Sequence, residues 1–178
     1  MLTIRRRLSF STQSDLEVLR QQLNLQANLA ENHALTNPGL AIGSSSKADV
    51  LVANTVEYVR AGRRRADKTT AEVNITADAT MADDGTVRSV GVLVVINGSD
   101  AFATVAGPVV SNGGSAVLPD VPVGSVLLGY VTISAAAGTS YTPDSTLLDA
   151  AGITATFVSD IRPTWKIARL LDVNGREV

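Results

Sequence analysis

Hydrophobic and polar residues alternate in short runs along most of the chain, and turn residues separate the runs. Alternation with a period of two is typical of strands with one buried face. The predicted strands cover residues 48–60, 69–77, 86–97, 101–106, 125–134 and 153–158, followed by a last segment at 165–173. Short turns without intervening helices predict a mainly β fold, either an antiparallel β-sandwich or a barrel.

Two of these strands carry more detailed predictions. Residues 86–97 are almost continuously apolar, which predicts a central strand covered on both faces. The Asn97-Gly98 pair that follows predicts a tight hairpin into 101–106. Strict alternation along 125–134 predicts that Leu128 and Val131 lie on opposite faces of their strand.

One amphipathic α-helix is predicted before the β domain, at about 14–36. Ser14 and Glu17 have the spacing of a capping box, and Asn37-Pro38-Gly39 ends the helix. Leucines at helical spacing form two neighbouring apolar stripes, which pack either on the sheet of the same chain or on a second copy. The candidates for self-association are Leu16, Leu19, Leu23, Leu25 and Leu29.

This helix sets the predicted domain organisation. An N-terminal arm and the helix occupy 1–43, and an antiparallel β domain occupies 44–178. The serine-rich segment 43–46 predicts a flexible hinge between them.

Two basic segments are candidates for contact with a partner. The first is the arm at 1–12, which either docks on a partner or is disordered; its candidate contact residues are Ile4, Arg5, Arg6, Arg7 and Phe10. The second comprises Arg63, Arg64 and Arg65, at the predicted tip of a hairpin between 48–60 and 69–77. No aromatic residues are interleaved with these arginines and the net charge of the chain is −2. A solvated loop or a contact with an acidic protein surface is therefore favoured over nucleic acid.

The residues offer little reactive chemistry. The chain has no cysteine and one histidine, His33, which we interpret as a surface or helix-packing residue. Asp83 and Asp84 precede a glycine and form an ordinary turn sequence rather than an acid–base pair. We therefore predict no catalytic residue, no metal site and no cofactor, and we expect a structural protein rather than an enzyme. Trp165, Tyr130 and Tyr141 leave open a patch that stacks on sugars, with core or interface packing as the alternative.

The longest apolar run, 90–96, is far shorter than the roughly 20 residues of a membrane-spanning helix. The basic residues near the N-terminus are not followed by the apolar stretch of a secretory signal. We expect a protein that is made in the cytoplasm and has no membrane partner.

Three stretches of the chain resemble virion structural proteins of tailed bacteriophages. They are 37–58, which begins Asn37-Pro38-Gly39, then 68–73, and 116–131, in which Leu118-Pro119 leads through a second proline and a glycine into a strand. The resemblance extends loosely over 37–134 and is nearest to head decoration (cement) proteins.

The resemblance implies a specific role and specific partners. A protein of this kind binds the outer surface of the phage head as a homotrimer and stabilises the head by bridging major capsid subunits. Its location would be the virion. The alternative is a fibre, spike or collar component of the virion that binds a receptor or a glycan, because the predicted helix has no counterpart in small decoration proteins.

Overall fold

A computed structural model describes residues 31–159 of the chain. The fold over these residues is mainly β, as predicted, and helical structure is limited to Glu31 and a short 3-10 helix at Ala77–Ala79. The strands are β1 His33–Ala34, β2 Leu40–Ile42, β3 Val50–Val52, β4 Tyr58–Arg60, β5 Arg63–Arg64, β6 Ala71–Val73, β7 Arg88–Ile96, β8 Phe102–Ala106, β9 Val126–Ala135 and β10 Ile153–Ser159. The arm at 1–12, the five leucines of the predicted helix and the segment 165–173 lie outside the described residues.

The strands form two sheets. The larger sheet has seven strands in the order β5-β4-β1-β9-β7-β8, and β10 pairs with β9 beside β1. The smaller sheet has the order β2-β3-β6. The pairing of these strands is antiparallel, as predicted, except for a single parallel contact between His33 of β1 and Leu127 of β9.

Strand β7 lies between β8 and β9 and is buried on both faces, which confirms the prediction from its apolar run. Val92 and Val94 face the main core, while Leu93 and Val95 are buried on the opposite face. The predicted hairpin from β7 into β8 is also confirmed, with Ile96 opposite Phe102. Its turn spans 97–101, and the positive φ angle in it is at Asp100 rather than at Gly98.

A β-bulge makes the predicted alternation of β9 wrong. Val94 pairs with Gly129 and Val95 pairs with Leu127, so that Leu128 has no partner on β7. The extra residue reverses the order of inward and outward side chains. Leu128 and Val131 therefore both lie in the core instead of on opposite faces.

The predicted helix at 14–36 does not extend to its predicted end. His33–Ala34 is a strand, because Ala34 pairs with Tyr58 of β4 while His33 contacts both β4 and β9. Beyond the strand, the Thr36 hydroxyl donates to the carbonyl of Thr55 and accepts from the N–H of Glu57. These contacts with residues distant in sequence replace the local bonds of a helix. The β structure therefore begins before residue 44, where the predicted β domain starts.

The predicted hairpin between 48–60 and 69–77 is only partly correct. Val50 of β3 does pair with Val73 of β6. The strand predicted at 48–60 is interrupted after β3. Its second part, β4, belongs to the larger sheet, where it forms a tight hairpin with β5. The turn of this hairpin is Ala61-Gly62, and both residues have positive φ angles. The arginines therefore lie in and after the second strand, not at the tip.

Both sheets contribute side chains to one hydrophobic core. Val50 and Val52 of the smaller sheet belong to the same buried cluster as Val92 and Ile133 of the larger sheet. On the other face of β7, the extended segment at 115–119 approaches the backbone closely. A Cβ atom on Gly91 would lie 2.7 Å from the Val117 carbonyl oxygen, so the approach requires glycine there.

No helix among residues 31–159 has the length and hydropathy needed to cross a membrane.

Candidate interaction surface

Three turns lie together at one end of the larger sheet, which we call the loop end. Ile96, the last residue of β7, pairs with Val126, the first residue of β9. The turn at 97–101 after β7 is therefore beside the turn at 122–125 before β9. Val59 of β4 pairs with His33, which also contacts the start of β9, so the Ala61-Gly62 turn lies at this end as well.

Charged and aromatic side chains of β4 hold two of these turns together. The Arg60 guanidinium donates to the Asp100 carboxylate, with Nη2 2.9 Å from Oδ2, and to the backbone carbonyls of Asn97 and Gly98. The Tyr58 hydroxyl donates to the other Asp100 oxygen at 2.9 Å. Burial raises the pKa of Tyr58, and the hydrogen bond to Asp100 raises it further. Because Asp100 has a positive φ angle, these contacts also stabilise a turn conformation that is uncommon outside glycine.

The three candidate arginines have different environments. Arg64 is exposed and its guanidinium pairs with Glu57 at 2.9 Å and with Asp67 at 3.7 Å. Arg65 is half-buried, and its backbone N–H donates to the carbonyl of Tyr58. Arg63 is exposed and forms no ion pair with any residue in 31–159. Arg65 also forms no ion pair with a described residue, so Arg63 is distinguished by being both exposed and unpaired within 31–159.

A fully exposed aliphatic side chain lies at the same end. Val123 is 97% exposed, although valine is usually buried. Its turn is closed by a hydrogen bond from the N–H of Ser125 to the carbonyl of Pro122, which holds the side chain outward. The pattern of hydrophobic and polar positions does not identify Val123, because exposure of a single residue at a turn leaves no periodic signal.

Residues 31 and 159, the first and last that the structure describes, also lie at the loop end. Next to β1, the N–H of Gly62 donates to the carbonyl of Glu31 and the N–H of Ala61 donates to Oδ1 of Asn32. Strand β10 runs antiparallel to β9 and finishes at Ser159, opposite Gly129. The segments that carry the other predicted contact residues therefore connect to the fold at this end.

Several carboxylates outside the loop end bind backbone groups of the protein itself. The N–H groups of Ser44, Ser45 and Ser46, together with the Ser44 hydroxyl, donate to Glu72 over 2.6–3.1 Å. These bonds lower the pKa of Glu72 to about 2. The predicted hinge at 43–46 is thus a loop held by one side chain of β6.

The Asp83-Asp84 pair has a similar structural role. Asp83 accepts from the N–H groups of Gly85 and Gly138, which links two turns. Asp84 accepts from Arg88 and from Thr86, and these bonds lower its pKa. Both carboxylates are engaged by donors from the protein, as a turn role predicts.

The remaining candidates have individual outcomes. His33 is half-buried in a strand, so the prediction that it lies on a helix is wrong. Tyr141 is fully buried and cannot belong to an exposed sugar-stacking patch. Burial raises its pKa, with Asp144 and Asp49 adding to the shift. Trp165 lies outside the described residues, within which no cluster of side chains could hold a metal ion.

The chain matches no protein-family model, and neither the curated proteins nor the solved structures include a significant match to it.

Proposed function

We propose that this protein is a structural component of a tailed-bacteriophage virion that binds the outer surface of the head and bridges major capsid subunits. The resemblance of 37–134 to head decoration proteins motivates the proposal. The observation that carries it is the composition of the loop end, where Val123 and Arg63 are exposed. We also propose that the two sheets form an antiparallel β-sandwich, one of the two architectures expected from the sequence.

The chemistry of the loop end suits a protein surface. An exposed aliphatic side chain gains from burial, and an unpaired arginine favours an acidic neighbour. The arm at 1–12 adds Ile4, Phe10 and three further arginines to the segment that leads to this end. Because a capsid repeats each site many times, modest contacts of this kind add up to a cohesive shell.

A homotrimer is the proposed form of the protein. In the predicted helix, the leucines at 16–29 would form an apolar surface for copies of the chain to bury against one another in a closed ring. Light scattering of the purified chain measures this directly, and a mass of one chain would contradict it.

The test of the loop end compares two exposed valines. Val123 lies at the loop end, while Val87, which is 41% exposed, precedes β7 at the opposite end of the sheet. We expect Val123→Asp to weaken binding to heads that lack the protein by about tenfold or more, because a buried unpaired carboxylate is unfavourable. Val87→Asp should bind like the wild type.

Two further measurements decide between virion roles. Heads that lack the protein should lose their contents at a lower temperature, and the protein should be present in hundreds of copies per particle. Equal heat resistance with and without the protein would contradict the proposal. A few copies confined to the tail would instead support the fibre, spike or collar role.

A further inference from the structure

The described sheets have five edge strands, and four of them are protected against pairing with another chain. Strand β5 has two residues, both arginine, and β2 and β6 have three residues each. Strand β8 is blocked through Thr104, whose hydroxyl donates to the carbonyl of Asn74 and accepts from the N–H of Thr76. Charge, short length and coverage are the usual means by which proteins avoid pairing at sheet edges.

Among the described residues, strand β10 is protected neither by short length nor by charge, although it contacts β2 of the smaller sheet. It has seven residues, none of them charged and none a proline. It pairs with β9 in regular register without a bulge from Ile153 to Ser159. The N–H of Ala136 donates to the carbonyl of Gly152, so these two residues form a hydrogen-bonded pair. Because such pairs alternate along an antiparallel ladder, Thr154, Thr156 and Val158 also bond to β9.

The other residues of β10 direct their backbone groups away from β9. The N–H of Ile153 donates to the carbonyl of Ala150. The N–H groups of Ala155 and Phe157 have no acceptor among the described residues. Thr154 and Thr156 are exposed on the outer face of the strand. An open row of donors and acceptors at this spacing fits another extended strand.

We propose that β10 pairs antiparallel with β10 of a second copy of this chain, on a two-fold axis at Ala155. In this register the N–H of each Ala155 donates to the carbonyl of the other, and Phe157 donates to Ile153 of the second copy. An uncharged edge allows this self-pairing without repulsion. The resulting interface is isologous, as two-fold symmetry requires.

The side chains match in the same register. Each Thr154 lies opposite Thr156 of the second copy on the outer face, and threonine pairs stabilise antiparallel strands. Phe157 lies opposite Ile153 of the second copy on the core face. The end of β10 at Val158 and Ser159, where Leu40 packs close to Gly129, stays outside the pairing.

This contact is separate from the proposed function and compatible with it. A chain that forms no ring would be a two-fold dimer. A chain that also forms the proposed trimer would be a hexamer, or would link neighbouring trimers on a surface.

Charge substitutions on the exposed threonines test the pairing without disturbing the core. In T154K/T156K, each lysine lies opposite a lysine of the second copy, and we expect the dissociation constant of the two-fold contact to rise by about tenfold or more. In T154K/T156E, each lysine lies opposite a glutamate, and the contact should be retained. Sedimentation equilibrium measures both, and equal association of the two variants would overturn the proposal.

A disulfide test uses the absence of native cysteine. Opposed Cα atoms at 154 and 156 would be roughly 4.5 Å apart, within reach of a disulfide. Positions 154 and 154 of the two copies would be about 8 Å apart, beyond that reach. We expect a mixture of T154C and T156C chains to cross-link on mild oxidation, and T154C alone to remain uncrosslinked.

The outcomes separate this inference from the proposed function. Trimers that bind heads but give no T154C–T156C cross-link would overturn the two-fold contact alone. Cross-linked dimers that do not bind heads would support the contact and contradict the virion role.

Discussion

The two halves of the described fold form their sheets by different means. From Arg88 to Ser159, four strands of five to ten residues pair over long regular ladders. Before residue 82, six strands of two or three residues are joined by hydrogen bonds between side chains and distant backbone groups. The long strands after residue 88 rest mainly on burial and pairing, although the Ser89 and Ser134 hydroxyls also bond to distant carbonyls. The short strands before residue 82 depend more on individual polar residues.

The short strands illustrate that dependence. Thr36 links the segment after β1 to Glu57, and the amide of Asn54 donates to the carbonyl of Asn37. Glu72 holds the loop at 44–46. Each of these contacts joins residues 17 or more positions apart. Strands of two or three residues form few ladder hydrogen bonds, and these side-chain contacts take the place of the missing ones.

The largest effect is expected from a core substitution in the long strands. Ile133 of β9 is fully buried between Val90 and Ala155 of its neighbouring strands. Ile133→Ala removes buried methyl groups and leaves a cavity, so we expect the free energy of unfolding to fall by about 3 kcal/mol. Urea denaturation followed by circular dichroism measures the change.

The neighbouring residue provides the control. Thr132 is half-buried on the opposite face of β9, and Thr132→Ala should lower the free energy of unfolding by less than about 1 kcal/mol. Similar losses for the two variants would contradict the view that burial of the inner face stabilises the long strands.

The long strands are also the part of the fold that the sequence predicts well. The apolar run of β7, the Asn97-Gly98 turn and the boundaries of β10 follow from local patterns, which pairing over many residues then reinforces. The face of Leu128 could not be predicted, because the bulge depends on register with β7 and not on the sequence of β9. The end of the predicted helix failed for a related reason, since His33 is drawn into a sheet by residues far along the chain.

The candidate surface was predicted less completely than the fold. The basic triplet pointed to the β4–β5 hairpin, but local sequence could not show that Glu57 and Asp67 neutralise Arg64 and leave Arg63 exposed. The local sequence indicates neither Val123 nor Asp100 as a surface residue of interest, because the role of each depends on turns that lie together only in the folded structure. Residue types alone therefore identify the β4–β5 hairpin as a candidate surface but do not show which side chains near it are exposed and unpaired.

A smaller effect is expected where the two halves meet. The hydroxyl of Tyr58, in the short-strand half, donates to Asp100 in the turn between the long strands β7 and β8. Tyr58→Phe removes a hydrogen bond to a charged acceptor and should lower the free energy of unfolding by about 1–2 kcal/mol. Urea denaturation measures the loss.

Tyr141 is the matched control for this substitution. Its side chain is as buried as that of Tyr58, but its hydroxyl has no hydrogen-bond partner in the described part of the chain. Tyr141→Phe should leave stability unchanged or raise it, because it removes a buried polar group that is not bonded. An equal loss for both variants would show that the contact with Asp100 does not link the two halves.

The smallest effect concerns the loop that Glu72 holds at 44–46. Because the hydrogen bonds lower the pKa of Glu72 from 4.5 to about 2, its carboxylate stabilises the folded state above pH 4.5. That contribution is lost as the pH falls from 4.5 towards 2. Glu72→Gln should therefore be less stable than the wild type at neutral pH, and the difference should shrink over this acidic range. Denaturation at several pH values measures both trends.

Hydrogen exchange locates the same effect within the loop. The amides of Ser44, Ser45 and Ser46 should exchange faster in Glu72→Gln, because their acceptor has lost its charge. Asp120→Asn is the control, since Asp120 is an exposed carboxylate without a hydrogen bond to any described residue. Unchanged exchange at 44–46 in Glu72→Gln would mean that the backbone of the loop is stable by itself. The short-strand half would then depend on polar side chains less than its hydrogen bonds indicate.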